Sequence, residues 1–214
     1  MEASTARIFN DLFLRYSALI PCGKQIETAF DTLRECYAGG GKVLVCGNGG
    51  SAADSEHIVG ELMKSFIIKR PIEILEADRI AYHFPEEGRY LSEKLQRALP
   101  AISLVSQTAL ATAFSNDVAA DMVFAQQVYG YGKDTDVLIG LSTSGNSENV
   151  VNAIKVAKSF GLKTIGMTGN LPGMLDDVCD VVIKVPGHET YKVQEYHLPI
   201  YHALCAMLES EFFQ

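Results

Sequence analysis

The chain has 214 residues, 48% of them hydrophobic and 21% charged, which suits one large domain burying roughly 70% of the unfolded surface. Eighteen Lys and Arg against 26 Asp and Glu give a formal net charge of −8, which excludes a mainly electrostatic grip on double-stranded nucleic acid. No apolar run reaches the ~20 residues of a membrane-spanning helix, and residues Met1 to Thr5 lack the pattern of a signal peptide. The expectation is a cytoplasmic protein without membrane or nucleic-acid partners, its five cysteines reduced because none form a C-x-x-C pair.

In chain order, Ala6–Ile20 and Lys24–Tyr37 carry apolar residues at three-to-four spacing and read as two helices separated by Pro21-Cys22-Gly23. Val43–Cys46 is a short buried-strand run that stops at Gly47-Asn48-Gly49-Gly50, followed by a helical pattern from Ser51 to about Ser65. Residues Ile72–Leu99 are charged and aromatic, an insertion-like excursion with a turn at Phe84–Gly88 and a helix near Tyr90–Arg97. Such a segment reads as a surface excursion or, more pointedly, as a lid or subunit contact. A strand is predicted at Ala101–Leu104. The strand–turn–helix unit then recurs: Val137–Leu141, the polar turn Ser142–Ser147, and an amphipathic helix over Glu148–Phe160. Strands at Thr164–Met167 and Val181–Val185 follow, and Thr190–Phe213 is a long helix expected to kink or start late at Pro199. Apolar strands alternating with helices indicate a single doubly wound α/β domain, flavodoxin-like, with a mostly parallel five-stranded sheet, helices on both faces and an N-terminal helical hairpin.

Two turns carry chemistry. Gly47-x-Gly49-x-x-Ala52 matches part of a dinucleotide fingerprint, but the acidic residue expected ~20 positions on is missing, since the chain there reads Phe66-Ile67-Ile68-Lys69-Arg70. The second turn gathers Ser142, Thr143, Ser144 and Ser147 where a strand ends and a helix begins. One helix cap requires one hydroxyl; four around a glycine suit a phosphate dianion at a positive helix end. A neutral cradle of this kind is compatible with an acidic protein.

On the helix after the first turn, His57 and Glu61 share a face at i, i+4. Gln194 and His202, eight residues apart, lie about 80° apart around the last helix. Taken singly, each pair reads as an exposed ion pair or a core histidine beside a polar end.

Three runs together resemble one family. Gly41-Lys42-Val43-Leu44-x-Cys46-Gly47-Asn48-Gly49-Gly50-Ser51-x-x-Asp54-x-x-His57-x-x-x-Glu61, Asp136–Ser147 and Val193-Gln194-Glu195-x-His197 are similar to the sugar isomerase (SIS) domain of phosphoheptose isomerases, across nearly the whole chain. Those enzymes interconvert sedoheptulose 7-phosphate and D-glycero-D-manno-heptose 7-phosphate for bacterial surface glycans. The resemblance implies Glu61 and His202 as the acid–base pair. It implies Asn48, Gly49, Gly50, Ser51, Asp54, Asp117, Ser142, Thr143, Ser144, Ser147 and Gln194 as substrate and phosphate contacts. It further implies a zinc held by His57, Glu61, Gln194 and His202, and a homotetramer with active sites between subunits. Ser65 and Tyr191 stand where the family usually has an arginine and an aspartate. The alternative within the same fold is a non-catalytic relative that binds sugar phosphates or assists a replication initiator; the presence of the whole acid–base set favours the enzyme.

Overall fold

The computed structural model describes all 214 residues. Its centre is a five-stranded sheet, every pair parallel, in the order β2-β1-β3-β4-β5. The strands are β1 (Val43–Gly47), β2 (Ala101–Ser103), β3 (Val137–Leu141), β4 (Lys163–Thr168) and β5 (Val181–Lys184). The order is the flavodoxin-like one and bears out the expected fold class.

Successive strand residues point to opposite faces, and two cores result. Val43, Val45, Ile139, Ile165 and Ile183 pack on one face against Phe30 and Leu33 of α2 (Gly23–Ala38), Ile58 and Leu62 of α3 (Gly50–Met63) and Leu204 and Met207 of α10 (Thr190–Phe213). Leu44, Cys46 and Leu138 pack on the other face against Phe124 and Val128 of α7 (Val123–Tyr131) and Val150 and Ile154 of α8 (Glu148–Ser159). Strands apolar at every position are therefore what a sheet covered on both sides requires.

Several boundaries differ from expectation. The first helix, α1 (Ala3–Arg15), ends five residues early, and Ser17–Cys22 tightens into a 3₁₀ segment containing Pro21. The excursion holds two helices instead of one, α4 (Ile74–His83) and α5 (Gly88–Lys94). No residue of α4 is buried, so core periodicity could not announce it; a capping box from Glu73 and Glu76 closes its start. Three helices absent from the sequence reading, α6 (Thr108–Asp117), α7 and the short α9 (Leu175–Val178), complete the set. Pro199 neither splits nor delays α10, which is continuous from Thr190 to Phe213. No helix is long and apolar enough to cross a membrane.

Candidate active site

The strand order reverses between β1 and β3, and both polar turns leave the carboxyl ends of these two neighbours. Ligands of open α/β sheets bind in that crevice. Here the crevice is a cleft of about 290 Å³ lined by Asn48, Gly49, Gly50, Ser51, Ser142, Thr143, Ser147, Thr190 and Gln194. The positive ends of α3 and α8 open onto it, an arrangement that favours an anion without any lysine. Gly49 has φ +58, a left-handed conformation that glycine adopts at least cost. A Cβ at Gly50 would lie 2.1 Å from the Gln194 amide nitrogen, so any side chain there would have to push Gln194 aside.

The hydroxyls are organised as a cup. Ser147 occupies the cap position of α8 but makes no side-chain cap hydrogen bond. Its Oγ instead accepts a hydrogen bond from Ser142 Oγ at 2.8 Å, while its own N–H donates to Ser142 Oγ at 3.3 Å. Asn48 and Asn149 exchange two amide hydrogen bonds of 2.8 and 2.9 Å and tie the two turns together. Thus Asn48, Gly49, Gly50, Ser51, Ser142, Thr143, Ser147 and Gln194 are brought together. Three expected contacts lie elsewhere. Ser144 turns its hydroxyl to the Asn146 N–H at 3.2 Å. Asp117 ends α6, exposed and bonded to Asn116. Asp54 faces Tyr201 across the α3–α10 seam, 3.1 Å from its hydroxyl.

The second constellation forms where α3 and α10 cross. Glu61 Oε1 lies 3.2 Å from His57 Nε2, and the latter lies 3.4 Å from His202 Nε2. The other Glu61 oxygen receives a hydrogen bond from Lys64 Nζ at 3.1 Å. Burial, reinforced by the neighbouring His57, holds the His202 pKa below that of a free imidazole, against an opposing pull from Glu61. Burial likewise raises the Asp54 carboxyl, although the Tyr201 hydrogen bond and His57 work against the shift. His202 also borders an open cleft of about 440 Å³ between α1 and α10, lined in part by Arg7, Asp11, Arg15 and Phe66. No three of the His, Cys, Asp and Glu side chains form a ready-made metal cage. Of the four suggested metal ligands, His57, Glu61 and His202 form one contiguous group, whereas Gln194 lines the cup.

Sequence reasoning missed Asn149, Thr190 and Tyr201. Asn149 and Thr190 lie close to the recognised motifs, but a polar residue in the first turn of a helix is ordinary. Tyr201, adjacent to His202, sits in an apolar run where it reads as core.

A hydroxyl-lined cup at the switch point and, about three helical turns further along α3, a carboxylate grouped with two imidazoles define an α/β protein with an anion-binding crevice and a separate acid–base group. A model of the SIS domain matches residues 22–77 and 77–169. The phosphoheptose isomerase of Aliarcobacter butzleri is 39% identical over 191 residues, 89% of this chain and 85% of the relative. That of Clostridium acetobutylicum is 40% identical over 190 residues, 89% and 84% of the two chains. Among solved structures, the phosphoheptose isomerase of Neisseria gonorrhoeae superposes with a TM-score of 0.71 at 30% identity, covering 97% and 94% of the two chains. That of Francisella tularensis gives 0.73 at 29% identity, covering 98% and 100%. The chain belongs to the phosphoheptose isomerase family.

Proposed function

We propose that this chain is an aldose–ketose isomerase interconverting sedoheptulose 7-phosphate and D-glycero-D-manno-heptose 7-phosphate. The observation that carries this reading is the pairing of a neutral, hydroxyl-lined anion cup with a carboxylate and imidazoles on two facing helices. The cup holds the phosphate, and that remote binding energy fixes the reacting carbons. The Glu61 carboxylate removes the C1 proton of the ketose. The C–H electron pair forms the C1–C2 double bond, and O2 takes a proton from His202. Loss of the O1 proton and delivery of a proton to C2 complete the aldose. Each properly placed acid or base is worth typically 10²–10⁴-fold in rate.

His57, Glu61 and His202, joined by Gln194, are the residues that would hold zinc. Imidazole nitrogen and carboxylate oxygen are zinc donors, and the 3.2 and 3.4 Å separations suit the ~3.3 Å between ligands of a tetrahedral ion with bonds near 2.0–2.1 Å. When bound, the ion would polarise the sugar carbonyl and offset developing negative charge on the substrate oxygens.

The helix geometry also supports active sites shared between subunits of a homotetramer. Ser51 and Glu61 are ten residues apart on α3, roughly 15 Å along its axis. A seven-carbon phosphate spans on the order of 10 Å from its carbonyl carbon to phosphorus, given C–C bonds of ~1.5 Å. The cup and Gln194 of a neighbouring copy, facing the Glu61–His202 group of this one, would close that gap. The product would feed heptose synthesis for surface glycans in the cytoplasm, where the unpaired cysteines stay reduced.

Turnover of sedoheptulose 7-phosphate by the Glu61→Gln protein tests the assignment. The expected result is a loss of at least 10²-fold with sugar-phosphate binding retained; activity within tenfold of the parent refutes it. Mixing Glu61→Gln subunits with Ser142→Ala subunits, assayed at a substrate concentration well below the raised KM of the latter, should give more activity than the two separate proteins sum to if the sites are shared. No gain over that sum after mixing and reassembly counts against sharing.

A further inference from the structure

The parallel ladder that joins β1 to β3 ends with Gly47 opposite Leu141. Beyond it, the turn that opens α3 and the turn that opens α8 share no backbone hydrogen bond. Side chains bridge the gap at one place, where Asn48 and Asn149 each donate to the other, at 2.8 and 2.9 Å. A reciprocal amide pair closes a ring that a single hydrogen bond does not, so neither side chain can rotate without losing both contacts. Exchanging oxygen and nitrogen in both amides gives the same pair. The first turn has little else to fix it: Gly47, Gly49 and Gly50 surround Asn48, and glycine restricts the backbone least. The donors available to an anion are divided between the two turns. The N–H groups of Gly49, Gly50 and Thr143 have no acceptor within the chain, and all three residues line the cleft.

We infer that Asn149 is a positioning residue: paired with Asn48, it sets the spacing of the two turns and so brings N–H donors from both within reach of one phosphate. The oxygens of a phosphate surround a single atom, so donors on opposite walls serve it together only at one width of the cleft, each at about 2.9 Å. Asn48 acts through the same pair. Its carbonyl oxygen and one of its two N–H bonds are engaged by Asn149, which leaves one N–H for a ligand. The contact is exposed, and water competes for the same groups, so the pair adds little to folding. Its effect falls on anion binding instead. The consequence for turnover rests on the isomerase reading, whereas the clamp is tested on phosphate alone.

Calorimetric titration with inorganic phosphate and steady-state turnover of sedoheptulose 7-phosphate separate the two. Asn149→Ala should weaken phosphate binding and raise KM by roughly 3–10-fold, the effect of losing about one net hydrogen bond. Its kcat should stay within about threefold of the parent, as expected when only binding is lost. Asn48→Ala should also weaken phosphate binding, and the double variant should be no worse than the weaker single, because the two residues act as one unit. Thermal unfolding of Asn149→Ala should stay within about 4 °C of the parent, as for an exposed site. Phosphate binding equal to the parent's, losses that multiply in the double variant, a fall in kcat with KM unchanged, or a larger drop in Tm overturns the inference. No phosphate binding by the parent overturns the clamp and the cup together. A parent that binds phosphate with the coupled losses, yet turns over no sedoheptulose 7-phosphate, overturns the isomerase assignment and leaves the clamp standing.

Discussion

Replacing Glu209 by Gln tests what holds the end of α3, and with it Glu61. The Glu209 and Arg70 side chains are both 0% exposed, with Arg70 Nε 2.7 Å from Glu209 Oε1. The same carboxylate accepts hydrogen bonds from the backbone N–H groups of Phe66, Ile67 and Ile68 at 2.8, 2.7 and 3.0 Å. Arg70 in turn donates to the carbonyls of Leu62 and Glu61, at 2.8 and 3.2 Å, where α3 runs out of helical partners. An amide at 209 keeps the shape but leaves the guanidinium without its counter-charge and turns N–H donors toward other donors. Removing one member of a buried pair costs about 3–5 kcal/mol, which in a chain of this size lowers Tm by roughly 10 °C. The sign of the pH dependence follows from the carboxyl. Burial opposes its ionisation, but the three N–H groups and Arg70 outweigh burial, and its pKa is lowered. A depressed folded pKa adds stability above the unfolded value of ~4.3 and loses it as pH falls through the folded one. The gap between parent and variant should therefore be full at pH 7 and shrink below about pH 4. Urea unfolding at fixed protein concentration measures it. A loss under about 1 kcal/mol, the range of an exposed pair, refutes the reasoning.

A second pH effect should come from His197, which is 0% exposed with neither ring nitrogen bonded to another side chain. Burial lowers its pKa to about 4, so between that value and ~6.5 the unfolded chain binds a proton that the folded chain refuses. Stability should fall with pH across this window, by about 2 kcal/mol from pH 7 to 5, and His197→Leu should remove that slope in the same urea series. Gly50→Ala places a methyl group 2.1 Å from the Gln194 amide; because a flexible side-chain end yields, folding should survive while KM for the sugar phosphate rises about tenfold, as expected of a lost ~1.4 kcal/mol of binding. Ser142→Ala removes the hydrogen bond to Ser147 and should raise KM with a smaller effect on kcat, measured by steady-state turnover. Dialysis against a chelator, followed by metal analysis and re-addition of zinc, should remove and restore activity with one zinc per subunit.

Sequence alone outlined the sheet, because β1 and β3 consist only of apolar residues and glycine and each motif sits at a strand end. Val43–Cys46 and Val137–Leu141 read as buried strands because they are short, contain β-branched residues and end in turn residues, and the glycines and hydroxyls after them marked the cup. Helix periodicity likewise placed His57 with Glu61 on one face. What it left undecided depends on contacts between segments far apart in the chain. The α4–α5 excursion buries almost nothing, so it carries no periodic core signal. Asp54 and Ser144 belong to the right motifs by spacing, yet one turns toward α10 and the other toward its own turn. The Tyr201 hydroxyl and the Arg70–Glu209 pair join residues 147 and 139 positions apart. Their partners are chosen by how α3 packs on α10, and that choice is made by the shape of the core, which no local pattern records.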